Sequence, residues 1–179
     1  ARDTYGMLIR RQMQVIPKPI SVGVRIEHRR ADIDTLFYGA MAGHPDLGAA
    51  EYNFSDTTGD RGVYTFCMCP GGEVVAAASE EETVVVNGMS ASNRGGQWSN
   101  SGMVVETRPE DIDAELRPFL NEALHDDTFA QTYGEILGTA DHPLRIMAFQ
   151  ESLERATWVQ GGRRQTAPAQ RMADFVNRR

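Results

Sequence analysis

Between Gly62 and Ser79 the chain reads Gly-Val-Tyr-Thr-Phe-Cys-Met-Cys-Pro-Gly-Gly-Glu-Val-Val-Ala-Ala-Ala-Ser, and this run constrains the fold more than any other. It predicts two strands that meet at Pro70-Gly71-Gly72. Alternation places Val63, Thr65, Cys67 and Cys69 on one face of the first strand, and Tyr64, Phe66 and Met68 on the other. Both faces are rich in apolar groups, so the strand is expected to be covered on both sides. Pro70 drives Cys69 into an extended conformation, and the glycines after it tolerate the positive φ of a tight turn. Thr83-Val-Val-Val-Asn87 reads as a third strand beyond the acidic turn Glu80-Glu81-Glu82, and Gly102 to Thr107 as a fourth. The reading is an antiparallel meander at about 62–107, at the centre of an α+β domain.

The rest of the chain supplies helices around that sheet. Tyr5, Leu8, Ile9 and Met13 recur at helical spacing and predict a helix over 3–14, ended by Pro17 and Pro19. Ile20 to His28 alternates, with Ile20, Val22, Val24 and Ile26 on the inward face and Ser21, Gly23, Arg25 and Glu27 on the other. A glycine inside a strand marks close approach of another backbone or a ligand. Beside it, Arg25 and Glu27 read either as a surface ion pair on a wet face, the plainer choice, or as a polar binding pair. Ala31 to Tyr38 reads as a short helix with Ile33, Leu36 and Phe37 inward. A long loop spans Gly39 to Asp60, with a strand near Glu51 to Phe54. Asn87 to Ser101 is polar and punctuated by glycine, a loop with material for binding. Helices are expected over 109–124, 144–160 and 168–177, which makes the C-terminal part helical. The 144–160 helix counts Met147, Leu153 and Val159 among its apolar positions. All 179 residues fit one domain of ordinary size.

The charge layout limits the partners. The net charge of −7 divides unevenly, since the acidic residues concentrate in the middle and the basic ones at the two ends. That acidic middle argues against nucleic acid as a partner. No apolar run reaches the roughly 20 residues that span a bilayer, and no secretory leader opens the chain, so the expectation is a cytoplasmic protein off the membrane. The chain opens Ala1-Arg2-Asp3 without an initiator Met.

Three candidates for chemistry stand out. Cys67-Met-Cys69 invites a redox reading, although two positions along an extended strand span roughly 6.5 Å between α-carbons, at the edge of what a disulfide tolerates. Reduced, buried thiols are the plainer alternative. His28, His44, His125 and His142 show no ligand spacing with the cysteines, so no metal is expected. Gly88-Met-Ser90-Ala-Ser92 half matches the nucleophile elbow of hydrolases, but its closing glycine and triad partners are missing. Neither a Gly-x-Gly-x-x-Gly fingerprint nor a Gly-Lys-Ser/Thr phosphate loop occurs.

Taken together, several motifs resemble one family. The opening Ala1 to Thr4, Pro17-Lys18-Pro19 with Val22 to His28, Tyr64 to Gly72, Asn87 to Ser90, Asn100-Ser101 and Ala167 to Gln170 are similar, in the same order, to bacterial proteins usually described as uncharacterised FAD-dependent, or NAD(FAD)-utilising, dehydrogenases. The resemblance implies that this chain is the middle, substrate-binding or cap domain of such a protein, between two FAD-binding parts that carry the fingerprint. It implies FAD in the parent rather than in this chain alone, NAD(P)H as a candidate electron donor, and two partners: the flanking FAD-binding domain and a small-molecule substrate. Flavin- or substrate-facing candidates are then Arg25, Cys67, Cys69, Asn87, Ser90, Arg94 and Asn100, with Arg25 suited to an anionic group. The alternative is a non-catalytic ligand-binding or interaction module attached to a flavin domain.

Overall fold

In the computed structural model, which describes residues 2–112 and 142–160, the 62–107 stretch divides between two antiparallel sheets. The described elements are helix α1 (Arg2–Arg10), strand β1 (Ile20–Arg29), helix α2 (Arg30–Tyr38) with a 3-10 turn (Gly39–Met41), strands β2 (Ser55–Asp56), β3 (Val63–Cys69), β4 (Gly72–Ala76), β5 (Val86–Ser90) and β6 (Trp98–Thr107), and helix α3 (Arg145–Gln160). The α+β class with antiparallel sheets and a helix in the C-terminal part is as expected. The helix over 168–177 and most of that over 109–124 lie outside the described residues.

Strands β1, β6, β3 and β2 form one sheet in that order, and β4 and β5 form a second. The strand expected near 51–54 is the short β2 at 55–56. The polar stretch 87–101 is mostly strand, because β5 and β6 extend into it from both ends and leave only residues 91–97 as loop.

Pro70-Gly71 does not close a hairpin. Instead Cys69 pairs with Asn100 of β6, and Gly72 pairs with Ser90 of β5, so the chain changes sheets within three steps. The residue between them makes the switch possible. Gly71 has φ +56°, donates its N–H to Ser99 Oγ at 3.0 Å and accepts from the Gly96 N–H at 3.0 Å. A side chain there would strike the Arg94 backbone.

Register assigns the faces of the larger sheet. Tyr64 opposes Val104, Phe66 opposes Gly102 and Cys69 opposes Asn100 on one side, while Val63 opposes Val105 and Thr65 opposes Met103 on the other. Between Phe66 and Cys69 the register shifts, because three steps along β3 match two along β6.

Burial departs from the hydrophobic pattern. Phe66 is 61% exposed, so β3 is not covered on both faces; on β1, Val24 is 56% exposed while Ile20, Val22 and Ile26 are half-buried. Glu27 is buried and Arg25 half-buried, which overturns the wet-surface reading for that pair, while Ser21 and Gly23 before them are exposed. In α2, Leu36 and Phe37 are exposed, and Asp34 is the buried member. Its carboxylate explains this, for it accepts from the Ala50 N–H at 2.7 Å and pairs with Arg30 at 3.4 Å, tying the long loop to the helix.

Two compact units emerge among the described residues. One holds 22–79 and 84–106, and with them nearly all of the strands; the other holds 2–21, 80–83 and the segments from 107 onward. In the second, α3 buries Ile146, Ala148, Phe149 and Ala156 together with Ser152, whose hydroxyl donates back to the Ala148 carbonyl at 2.7 Å. Val159 is exposed, and Met147 and Leu153 are only half-buried.

Candidate functional site

Arg25 is the meeting point of four strands. Its Nη1 donates to Asn100 Oδ1 of β6 at 2.8 Å and to the Cys67 carbonyl of β3 at 3.0 Å, and lies 4.0 Å from Cys69 Sγ. Its Nη2 reaches Asn87 Oδ1 of β5 at 3.4 Å. Two sequence features create this convergence. The β3 bulge turns the Cys67 carbonyl inward, with Cys67 itself at φ +50°. Gly88 lets β5 approach, since a Cβ there would lie 2.6 Å from Cys69 Sγ and would also meet Arg25 Nη1 and Asn100 Oδ1.

None of these acceptors carries a charge. Elsewhere among the described residues arginines find carboxylates: Arg30 pairs with Asp34 at 3.4 Å, Arg94 with Glu51, and Arg155 with Glu151 at 3.2 Å. Arg25 instead brings a cation to a half-buried position with no acid of the described residues in ion-pair range. Because a guanidinium only donates, Asn100 must present its Oδ1 to it. That leaves Asn100 Nδ2 buried and without a hydrogen-bond partner among the described residues. An unmet buried donor costs roughly 1–3 kcal/mol.

Arg25, Cys69, Asn87 and Asn100 therefore gather with the Cys67 backbone at one point, as the sequence reading grouped them. Ser90 and Arg94 do not touch the guanidinium. Ser90 Oγ donates to the Pro70 carbonyl at 2.8 Å and so holds the sheet-switching turn. Arg94, with φ +49°, directs its side chain to Glu51, and its carbonyl accepts from Arg30 at 3.4 Å. Cys67 is exposed and Cys69 buried. Burial pushes the Cys69 thiol above its ordinary range; neighbouring Cys67 adds to this and Arg25 opposes it.

A second cluster, on the opposite face of the same sheet, escaped the sequence reading. His28 Nε2 and the Tyr52 hydroxyl are 3.3 Å apart, and Tyr52 also hydrogen-bonds Ser101. Tyr52 stacks on Phe54 at 5.0 Å between ring centroids and on Phe37 at 6.5 Å. Burial lowers the His28 pKa, with Asp32 opposing, and raises that of Tyr52, against the pull of Ser101 and Arg25. The pair therefore favours its neutral form. The even position of His28 puts it across the sheet from Arg25, which was a legible signal, but Tyr52 and Phe37 reach it only through the fold.

Among the described residues no group of His, Cys, Asp and Glu could hold a metal ion, and no helix is long and apolar enough to cross a membrane. What the Arg25 cluster does offer is a cation, amide groups and an unmet donor, a set that fits the polar pyrimidine edge of a flavin or an anionic substrate group.

A protein of Clostridium beijerinckii described as uncharacterized is 39% identical over 181 residues, a match that covers all of this chain and 29% of the relative. The chain thus spans under a third of the length of that curated relative. A family model described as FAD-dependent protein, C-terminal domain-like, matches residues 19–179. By that match the chain belongs to the FAD-dependent protein family and corresponds to the part described as C-terminal domain-like.

Proposed function

We propose that this chain is the substrate-binding, or cap, domain of an FAD-dependent oxidoreductase, set between flanking FAD-binding parts, with the Arg25 cluster turned toward the flavin and a small-molecule substrate. The observation that carries the reading is Arg25 itself, a half-buried guanidinium held by neutral acceptors with no carboxylate beside it among the described residues. Structural arginines at such depth are ordinarily neutralised. A cation kept unpaired is suited to a charge that arrives with a ligand or develops during reaction. The flavin, when bound, supplies the hydride chemistry, with NAD(P)H as a candidate electron donor. This chain supplies position and charge: Arg25 offers its planar fork, Asn87 and Asn100 fix its plane, and Cys69 and Gly88 close the space behind it. We place the protein in the cytoplasm and expect no nucleic-acid or membrane partner.

Two measurements test the reading on the whole protein. The first is the visible spectrum: the chain with both flanks should purify yellow, and residues 1–179 alone should be colourless and take up no FAD. A colourless long protein ends the proposal. The second is Asn100→Asp, which gives Arg25 a carboxylate and removes the orphaned N–H. Stability should hold or rise by about 1 kcal/mol, as a charge-assisted hydrogen bond replaces a neutral one. The flavin midpoint potential should fall, because a neutralised guanidinium no longer favours the anionic reduced ring. An unchanged potential in both Asn100→Asp and Arg25→Met would place the flavin elsewhere.

The exposed apolar residues Phe66 and Met89, 61% and 62% accessible, favour the second reading of an interaction module. Full activity after deletion of this domain would select it.

A further inference from the structure

We propose that Cys67 and Cys69 are a thiol–disulfide pair that exchanges electrons with low-molecular-weight disulfides, Cys67 attacking first and Cys69 closing the bond. The spacing argument against a disulfide assumed a regular strand, and β3 is irregular at this point. Its ladder jumps from Phe66 to Cys69, so Cys67 and Met68 have no partners on β6. Cys67 lies at φ +50°, a region that a residue with a Cβ enters at a cost, and one that re-aims its side chain. Cys69 turns back along its own strand, its thiol donating to the Cys67 carbonyl at 3.5 Å and interacting with the Cys67 side chain. Cys69 stays paired with Asn100, and Cys67, which has no ladder partner, can close on it without breaking a strand pair.

The two thiols differ as an attacking and a resolving sulfur must. Cys67 is exposed, open to a small reagent, whereas Cys69 is 8% exposed and its thiol turns back toward Cys67. Arg25 Nη1 lies 4.0 Å from Cys69 Sγ, a cation placed to support the thiolate during the second step. A small buried hydrophobe would account for Cys69. It does not account for an exposed cysteine held at positive φ two positions away.

The exchange balances with a glutathione-type disulfide as oxidant. Cys67, having lost its proton, attacks one sulfur and forms a mixed disulfide, releasing the first glutathione thiolate. Cys69 gives up its proton and attacks Cys67 Sγ, which releases the second. Two electrons pass to the glutathione disulfide, and the two protons end on the released thiols. A ring closed across one intervening residue is strained, so the pair belongs with the more oxidising, labile disulfides. Closure also removes the S–H donor from the Cys67 carbonyl, the group that Arg25 holds, so the redox state of the pair is felt at the guanidinium.

The test uses the whole protein and needs no knowledge of its substrate. It is equilibrated with reduced and oxidised glutathione over a range of ratios, quenched with acid, alkylated and digested with trypsin. Cleavage after Arg61 and Arg94 leaves both cysteines on the single peptide 62–94. As conditions become oxidising, this peptide should pass from doubly alkylated to an unalkylated form lighter by two hydrogens. Cys69→Ser should trap a glutathione adduct on Cys67, and Cys67→Ser should take up little. A wild-type peptide that retains glutathione on Cys67, or alkylates twice throughout the range, overturns the pair. Because no flavin enters this measurement, its failure leaves the cap-domain reading standing.

Discussion

The two faces of the larger sheet handle polar side chains in opposite ways. On one, Arg25, Asn100 and Cys69 are drawn into contact with β5, and the space for them exists because residue 88 has no side chain. On the other, His28, Tyr52 and Ser101 are linked by hydrogen bonds beneath aromatic rings that stay partly open, with Phe37 44% and Phe54 52% exposed. The first face is fixed by geometry: its charge is permanent, and its neighbours are set by a bulge and a glycine. The second is fixed by protonation, because it favours a neutral imidazole beside a neutral phenol. A permanent charge held without a counter-ion among the described residues suits a ligand site, and a titratable pair suits a pH response. The faces should therefore fail under different insults.

The sharpest break is Gly88→Ala. The new Cβ would run into Arg25 Nη1, Asn100 Oδ1 and Cys69 Sγ together, and none of the three is a loose surface chain. Overpacking of this kind costs about 2–3 kcal/mol. The urea midpoint should fall accordingly, while the response of stability to pH keeps its shape. A loss under about 0.5 kcal/mol, the range of an ordinary surface change, would show that the two sheets separate easily at this point.

The opposite face should respond to acid. Burial holds the folded-state pKa of His28 below its ordinary value of about 6.5, so the folded protein binds its proton less readily than the unfolded chain does. His28 therefore contributes stability in full above the unfolded value. That contribution is lost as the pH falls from about 6.5 through the lower folded value. In His28→Gln this part of the pH dependence should vanish, leaving variant and wild type closer in stability at pH 5 than at pH 8. Parallel curves across that range would mean that the Tyr52 contact does not discriminate between the two forms of the ring.

How much of this was legible in the sequence differs between the two faces. Alternation located β1 and β3 to within a residue or two, and the density of functional groups around Cys67-Met-Cys-Pro-Gly-Gly and Asn87-Gly pointed to the residues that do meet Arg25. Strand partners were not legible. Pro70-Gly71-Gly72 has the chemistry of a hairpin, and only the long-range bonds from Gly71 to Ser99 and from Gly96 to Gly71 turn it into a change of sheet. Burial was misread where polar groups won it. Glu27 and Asp34 are buried while Val24 and Leu36 face outward; at Asp34 the Ala50 N–H from the long loop, together with Arg30 one turn back on the helix, decides the position. Tyr52 fell inside a loop, where periodicity carries no information, so its pairing with His28 had no local signal.

Arg94 supplies the smallest effect and the control for both faces. It was grouped with Arg25 as a candidate on type and loop position, yet it is half exposed and spends its charge on Glu51, itself 55% exposed. Exposed ion pairs contribute about 0–1 kcal/mol and are screened by salt. Arg94→Ala should therefore cost no more than about 0.5 kcal/mol, with the difference from wild type closing at high ionic strength. The backbone argues for the same modest outcome. The link that ties this loop to β4 runs from the Gly96 N–H to the Gly71 carbonyl, and an alanine at 94 leaves it untouched. Alanine does inherit φ +49°, and a small residue tolerates that angle about as well as arginine does. Should Arg94→Ala instead match the loss seen in Gly88→Ala and resist salt, the charge that matters in this unit would be the paired one, and the case built on the unpaired Arg25 would fall with it.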